Sequence, residues 1–297
     1  MLAEEVLRIA ARQDGLVTSE QVLAGGVGAE TLKSWVRRGR LRPVHRGVYG
    51  IAGVEVTTRV VARAALLAVR LATAAVSDAT AARLHGIGVL ALQQPAHITV
   101  TGDVHRQSRP QLRLHRRRLR PDEVTELAGL RLTTARRTVR DLLAGADRLS
   151  AVWAAEAALR AGRLTRGDLD DIVAGDAGLR HAARIRCRRD LVDARSESPL
   201  ETAIRLLLHD RGLAPVPQHP VRTESGHLLA RIDLAWPTRR LGIEADGKDP
   251  HGQLRPVYTD RWRANALVGW QLIRFTWYDV LSRPEYVVAT VLAHLAA

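Results

Sequence analysis

The sequence predicts a multidomain α/β protein in three parts: a helical module closed by a hairpin over residues 1–55, a mostly helical middle region with a basic strand segment over 56–194, and a C-terminal α/β domain over 195–297. Three observations lead there. The N-terminal apolar positions recur at helical spacing and then give way to alternation. Basic residues, 45 against 31 acidic, give a net charge of +14. The last third sets acidic residues into apolar, strand-like runs and holds Trp236, Trp262, Trp270 and Trp277, four of the six tryptophans.

Composition bounds the function. A hydrophobic content of 46% suits globular cores without metal or disulfide staples. A pI near 11.2 calls for an anionic partner, because each cation set on a phosphate releases condensed counterions; double-stranded DNA is the expected one. Lys33 and Lys248 are the only lysines, and the planar fork of Arg suits phosphate; a coding preference for Arg is the alternative source of the excess. The single cysteine, Cys187, excludes an internal disulfide framework and points to a reducing compartment. No paired His pattern makes it a nucleophile. Met1–Glu5 is acidic, unlike a signal peptide, and Val60–Val76 is interrupted by Arg63 and Arg70, so no membrane span and a cytoplasmic location are expected.

Within the module, Leu2–Arg12 reads as a helix stopped by Gly15. A second helix follows with Thr18 or Ser19 as its cap, and Gly25–Gly28 turns the chain into a third helix, Ala29–Arg38, ended by Gly39. Leu41–Ile51 then alternates as two short strands around a tight basic turn. Helix, glycine turn, cationic helix and hairpin make a winged helix-turn-helix, in which Lys33, Arg37 and Arg38 would face the major groove and Arg42 and Arg46 the backbone. A packing module with a solvated basic face is the plainer alternative.

Thr57 to about Gly88 is Ala-rich and reads as helical. It contains Ser77-Asp78-Ala79-Thr80-Ala81-Ala82-Arg83-Leu84-His85-Gly86, in which Ser77 and His85 are expected to cap and pack. The winged helix followed by this Ser-x-x-x-Ala-Ala-x-Leu-x-Gly element resembles the N-terminal region of AbiEi-type antitoxins of type IV toxin-antitoxin systems, over roughly the first 90 residues. The resemblance implies operator binding, with a toxin or a second protein subunit as a further partner.

His97–Thr101 and Gln111–Arg116 read as strands. Around them His105, Arg106, Arg109, Arg113, Arg116, Arg117, Arg118 and Arg120 form either a phosphate-contacting or a merely solvated face. Helices dominate from about Arg136 to Ala194, and Asp193–Pro199 reads as a domain joint.

In the C-terminal part, Ser198 caps a helix with Pro199 in its first turn and Glu201 at the capping-box position. A strand over Val216–Val221 follows, then Leu228–Trp236 and Leu241–Gly247 with hairpin spacing. Asp233 and Glu244 interrupt these apolar strands, and burying a carboxylate costs several kcal/mol unless it is compensated. Pairing can bring the two together, and alternation puts Glu244 and Asp246 on one face. Acids converging there repel one another, which a hard divalent ion would relieve; Mg²⁺ or Mn²⁺ is the expected cofactor.

With Asp260-Arg261-Trp262-Arg263, the final strand Gly269–Trp277 and a closing helix from Arg283, residues 195–297 resemble the restriction-endonuclease-like PD-(D/E)XK superfamily, in its very-short-patch-repair-like branch. The resemblance implies Asp233, Glu244 and Glu201 as metal ligands, with the ion activating water for attack on a DNA phosphodiester and neutralising developing charge. The chain departs from the signature at Asp246, where the superfamily has Lys. Lys248 and His251 are the local substitutes, and Arg261 and Arg263 the phosphate contacts. The tryptophans are expected to pack. The resulting expectation is a metal-dependent DNA endonuclease, a hydrolase, with a non-cleaving regulator or antitoxin, or a dead nuclease fold used only for binding, as the alternative. RNA binding by the Arg-rich middle region stands third.

Overall fold

The computed structural model describes residues 2–90, 95–102, 107–246 and 267–296. The chain divides into two compact units, 1–146 with 161–186, and 147–160 with 187–297.

The first unit begins with the expected helices α1 (Glu4–Arg12), α2 (Ser19–Ala24) and α3 (Ala29–Arg37). Thr18 and Gln21 form a full capping box on α2, its Oγ1 accepting from the Gln21 N–H at 3.1 Å. Leu32 and Trp35, one turn apart, bury one side of α3 against Val6, Ala10 and Val22, which turns Lys33 and Arg37 to solvent. Strands β2 (Leu41–His45) and β3 (Val48–Ile51) form the anticipated hairpin, and Gly47 takes φ +74° in its turn, a value that a residue with a Cβ adopts only under strain. A third strand, β1 (Leu16–Thr18), was not legible because it is only a buried Leu-Val-Thr; it pairs with β3 to give the order β1-β3-β2.

The stretch expected to be one helix from Thr57 to Gly88 is instead α4 (Thr58–Val69), β4 (Ala75–Val76) and α5 (Asp78–Leu84). Helix propensity loses there to burial. Ala75 and Val76 are fully buried between β5 (Ala96–Val100) and β8 (Leu130–Thr133) in the middle of a five-stranded sheet, β6-β5-β4-β8-β7. β6 is Leu112–Arg116, and β7 (Val124–Leu127) makes with β8 a hairpin that sequence reading missed. Ile98, Leu112, Leu114 and Leu132 join Ala62, Ala65 and Val69 of α4 in the core. Asp14 ties the N-terminal module to α4, accepting from Arg59 at 2.7 Å and Arg63 at 3.0 Å, while Arg63 also donates to the Gly129 carbonyl at 2.7 Å. Helices α6 (Ala135–Gly145) and α8 (Arg166–Gly175) complete the unit.

The second unit takes α7 (Arg148–Arg160), which the sequence groups with the 56–194 segment, together with the chain after α9 (Ala182–Asp190) begins. The reason is Glu156: fully buried, it accepts from Thr202 Oγ1 at 2.5 Å, from the Asp193 N–H at 2.9 Å and from Arg205 at 2.5 Å. Thr202 and Arg205 belong to α10 (Pro199–His209), whose Leu200, Ile204 and Leu208, spaced by single turns, pack on Leu234, Ile243 and Phe275 of the sheet. That sheet runs β12-β11-β10-β9, with β9 (Val216–Arg222), β10 (Leu228–Trp236) and β11 (Leu241–Ala245) antiparallel and β12 (Gln271–Phe275) parallel to β11. Helices α11 (Trp277–Ser282) and α12 (Pro284–Ala296) follow, the second closing the core through Val287 and Val291. Trp236, Trp270 and Trp277 pack as expected; Trp262 lies outside the described residues. Among the described residues no helix is long and apolar enough to cross a membrane.

Candidate nucleic-acid interface

In the first unit, α3 and the β2–β3 hairpin border an open groove of about 1000 Å³ whose third side is the turn Arg109-Pro110-Gln111. Leu32, Val36, Val44 and Tyr49 form its floor. Lys33, Arg37, His45, Arg46 and Arg109 supply its basic groups, and among the described residues no carboxylate lines it. Lys33, Arg37, Arg38, Arg42 and Arg46 are all exposed. Lys33 pairs with Glu30 at 2.7 Å, whereas Arg37, Arg38, Arg42 and Arg46 have no acidic partner among the described residues. Burial, aided by the charge of Arg109, holds the His45 imidazole below its ordinary value. A groove whose arginines keep their charge in this way suits an anion.

Residues 4–52 match the family model for "Transcriptional regulator, AbiEi antitoxin". The AbiEi-matched segment ends within two residues of the hairpin, so it covers α1 through β3 and stops short of the turn at Arg109. Two uncharacterized proteins of Mycobacterium tuberculosis, from strains CDC 1551 / Oshkosh and ATCC 25618 / H37Rv, are each 32% identical over 144 residues, 47% of this chain. The chain spans about half the length of these curated relatives, 52% of each.

Other arginines of the first unit are neutralised internally. Asp141, with its side chain 1% exposed, meets Arg117 at 3.0 Å, Arg137 at 2.9 Å and Arg140 at 2.8 Å. Arg117 also donates to Asp78 at 2.8 Å, Arg137 to Glu123 at 2.6 Å, and Arg140 to Asp176 at 2.5 Å. Part of the basic run at 105–120 is thus a folding device, neither phosphate surface nor solvated face. Asp141 lies two dozen residues downstream of Arg117, and no local spacing announces the pair.

Asp78, His97 and His115 bring three ligand-type atoms within 4.8 Å of one another, the one such trio among the described residues. Their hydrogen bonds give them another role. A guanidinium only donates, so His115 Nδ1 accepts from Arg117 Nη2 at 3.2 Å and its proton sits on Nε2. That N–H is 2.9 Å from His97 Nδ1 and 3.5 Å from Asp78 Oδ2. An ion on Nε2 would require the opposite tautomer and would break the Arg117 contact. Burial pushes the His97 imidazole down to about 4, and holds His115 low as well. Burial raises the Asp78 carboxyl, but Arg117 and His115 outweigh it and leave the group below its usual value. Ser77, expected as a side-chain cap of α5, makes no such bond; its Oγ is fully buried in the turn before the helix. His85 packs as expected, with Nε2 2.8 Å from the Thr133 carbonyl oxygen.

The three acids expected to hold a metal lie on three elements of the second unit, α10, β10 and β11. Ser198 caps α10, but Glu201 does not close a capping box with it. Its Oε2 accepts from the Glu197 N–H at 2.8 Å and from Gln218 Nε2 at 2.7 Å, which draws the carboxylate towards β9. Burial, together with the negative charge of Asp233, holds Glu201 above the ordinary glutamate value. Asp233, on β10, accepts from the Ala245 N–H at 2.9 Å. Glu244 is 7% exposed on β11, in register with Arg274 of β12, whose Nε lies 3.8 Å from its carboxylate. The strand ends at Ala245; Asp246, next in the chain, is exposed, and its N–H donates to the Phe275 carbonyl at 2.8 Å. Glu201, Asp233 and Glu244 do not reach the 4.8 Å spacing of the Asp78 trio. Lys248, His251, Arg261 and Arg263 lie outside the described residues. Arg274 was missed as a site residue because only the parallel register sets it beside Glu244.

Proposed function

We propose that this chain is a DNA-binding transcriptional regulator of the antitoxin type, reading double-stranded DNA through its N-terminal module as a winged helix-turn-helix. The observation that carries the reading is the carboxylate-free groove between α3 and the hairpin, lined by Lys33, Arg37 and Arg46. In this reading α3 enters the major groove and the hairpin lies against the backbone, with Arg38 and Arg42 on flanking phosphates. The family match over residues 4–52 supports it, and suggests a toxin as a protein partner. Fluorescence anisotropy with duplex from upstream of the chain's own coding region, against a scrambled duplex, is the test. Tighter binding to the former that weakens steeply with salt, and no cleaved product, is expected. No duplex binding even at low salt would overturn the proposal.

One observation favours a second reading, in which the chain cleaves DNA. Asp233 lies near enough to Glu201 for its charge to raise that carboxyl, and Glu244 follows on the strand paired with β10. Carboxylates are the donors a hard divalent ion takes, so Glu201, Asp233 and Glu244 would hold Mg²⁺ or Mn²⁺ on closing together. The ion would supply charge neutralisation and water activation at a phosphodiester. Arg274, Lys248 and His251 would provide the positive charge that Asp246 does not, and Arg261 and Arg263 would meet the phosphate. Supercoiled plasmid with either metal ion is then nicked by the wild type; nicking that survives Glu244→Ala sinks this reading.

A further inference from the structure

The groove extends beyond the family-matched segment, and we propose that the turn at Arg109 is its third DNA-contacting element, with the Arg109 guanidinium on a backbone phosphate. The inference rests on the DNA-binding reading above and deepens it. Arg109 is anchored by two backbone hydrogen bonds with Leu112, its N–H donating to the Leu112 carbonyl at 2.7 Å and its carbonyl accepting from the Leu112 N–H at 2.9 Å. Leu112 is buried in the sheet core, so the turn starts from a rigid strand end. Ser108 fastens the other side, its Oγ accepting from the Leu114 N–H at 3.0 Å.

The side chain itself is exposed and has no acidic partner among the described residues. Arg117 and Arg120, further along the same basic segment, are both tied to carboxylates. An arginine that lines the same groove as Arg37 and Arg46, with no carboxylate among the described lining residues, keeps its charge for a ligand outside the chain. Duplex DNA fits that arrangement because its phosphates are spaced along both edges of the groove that α3 would enter, so contacts from the hairpin and from this turn can be made together.

The test uses the full chain and a short fluorescein-labelled duplex of arbitrary sequence, with affinity measured across a salt series. Each phosphate contact contributes about 0.9 to the slope of log affinity against log salt. Arg109→Ala is expected to reduce the slope by about one and to weaken binding at every salt concentration, with Arg109→Lys restoring most of it. Arg120→Ala removes the same formal charge from a residue already paired with Asp122 outside the groove, and is expected to leave the slope unchanged. A wild-type slope in Arg109→Ala, or equal losses in the two alanine variants, overturns the assignment of Arg109 while the regulator reading stands. Absence of duplex binding by the wild type overturns both.

Discussion

Two arginine-rich regions of the same unit put identical side chains to opposite uses. Around Asp141, Arg117, Arg137 and Arg140 are spent on internal carboxylates and half-buried or buried with them. Along the groove, Arg37, Arg46 and Arg109 stand without acidic partners among the described residues. Net charge alone does not separate the two, because both add to the same +14. What separates them is whether folding brings a carboxylate to the guanidinium, and only the second kind of arginine is available to phosphate.

The sharpest way to test the contrast is to remove the carboxylate. Asp141→Ala leaves three cations facing one another with one acid fewer, and breaking such a buried set costs roughly 3–5 kcal/mol. Thermal unfolding should fall accordingly, while DNA affinity per folded molecule is retained. Lost affinity with an unchanged unfolding temperature would reverse the roles of the two regions.

Acid should act on the paired region next. His97 is held down at about 4 in the fold, against about 6.5 for an unfolded chain. The unfolded state therefore binds more protons between those values, and stability is lost as pH falls through that window, by on the order of 3 kcal/mol. Asp78 adds to the loss below it, because its lowered carboxyl contributes stability only above its folded value. Urea unfolding across this pH range should show the decline, and His97→Gln should flatten it; an unchanged profile would mean the imidazole is not insulated as the geometry implies.

Removing the unpaired arginines should barely touch stability. Arg37→Ala with Arg46→Ala is expected to shift unfolding within about 0.5 kcal/mol, yet to reduce the salt slope of duplex binding by about two. A large loss of stability in this double variant would show that the groove arginines are structural after all.

Gly242 is a probe of the other unit. A Cβ there would lie 2.7 Å from Leu272 Cδ2, the end of a flexible side chain, and 2.8 Å from Ile232 Cγ2, a methyl on a stiff β-branched carbon. Gly242→Ala should cost about 1–3 kcal/mol in the second unit alone, leaving DNA binding by the first unaltered.

The elements with local signatures were legible. The α2 cap at Thr18, the Leu32–Trp35 face of α3, the Arg46-Gly47 turn and the Asp233–Glu244 hairpin all follow from spacing over a few residues. What failed depends on distant partners. Ala75 and Val76 read as helix because nothing nearby reveals that β5 and β8 arrive on either side. Glu201 reads as a capping-box acid because Gln218, which draws it away, belongs to another element. The cations of the candidate interface were named from the helix and hairpin, but Arg109 could not be told from its neighbours until the turn was seen facing α3.

The buried Glu156 has a consequence for the order in which the protein is made. Helix α7 leaves the ribosome before its partners Asp193, Thr202 and Arg205 exist, and domains generally form from the N-terminus onward as synthesis proceeds. An acid that must end up dry therefore waits in water while the chain returns to finish the first unit with 161–186. A nascent chain halted just after Gly175 would carry α1 to β3 complete, and an α7 with none of the groups that later enclose Glu156.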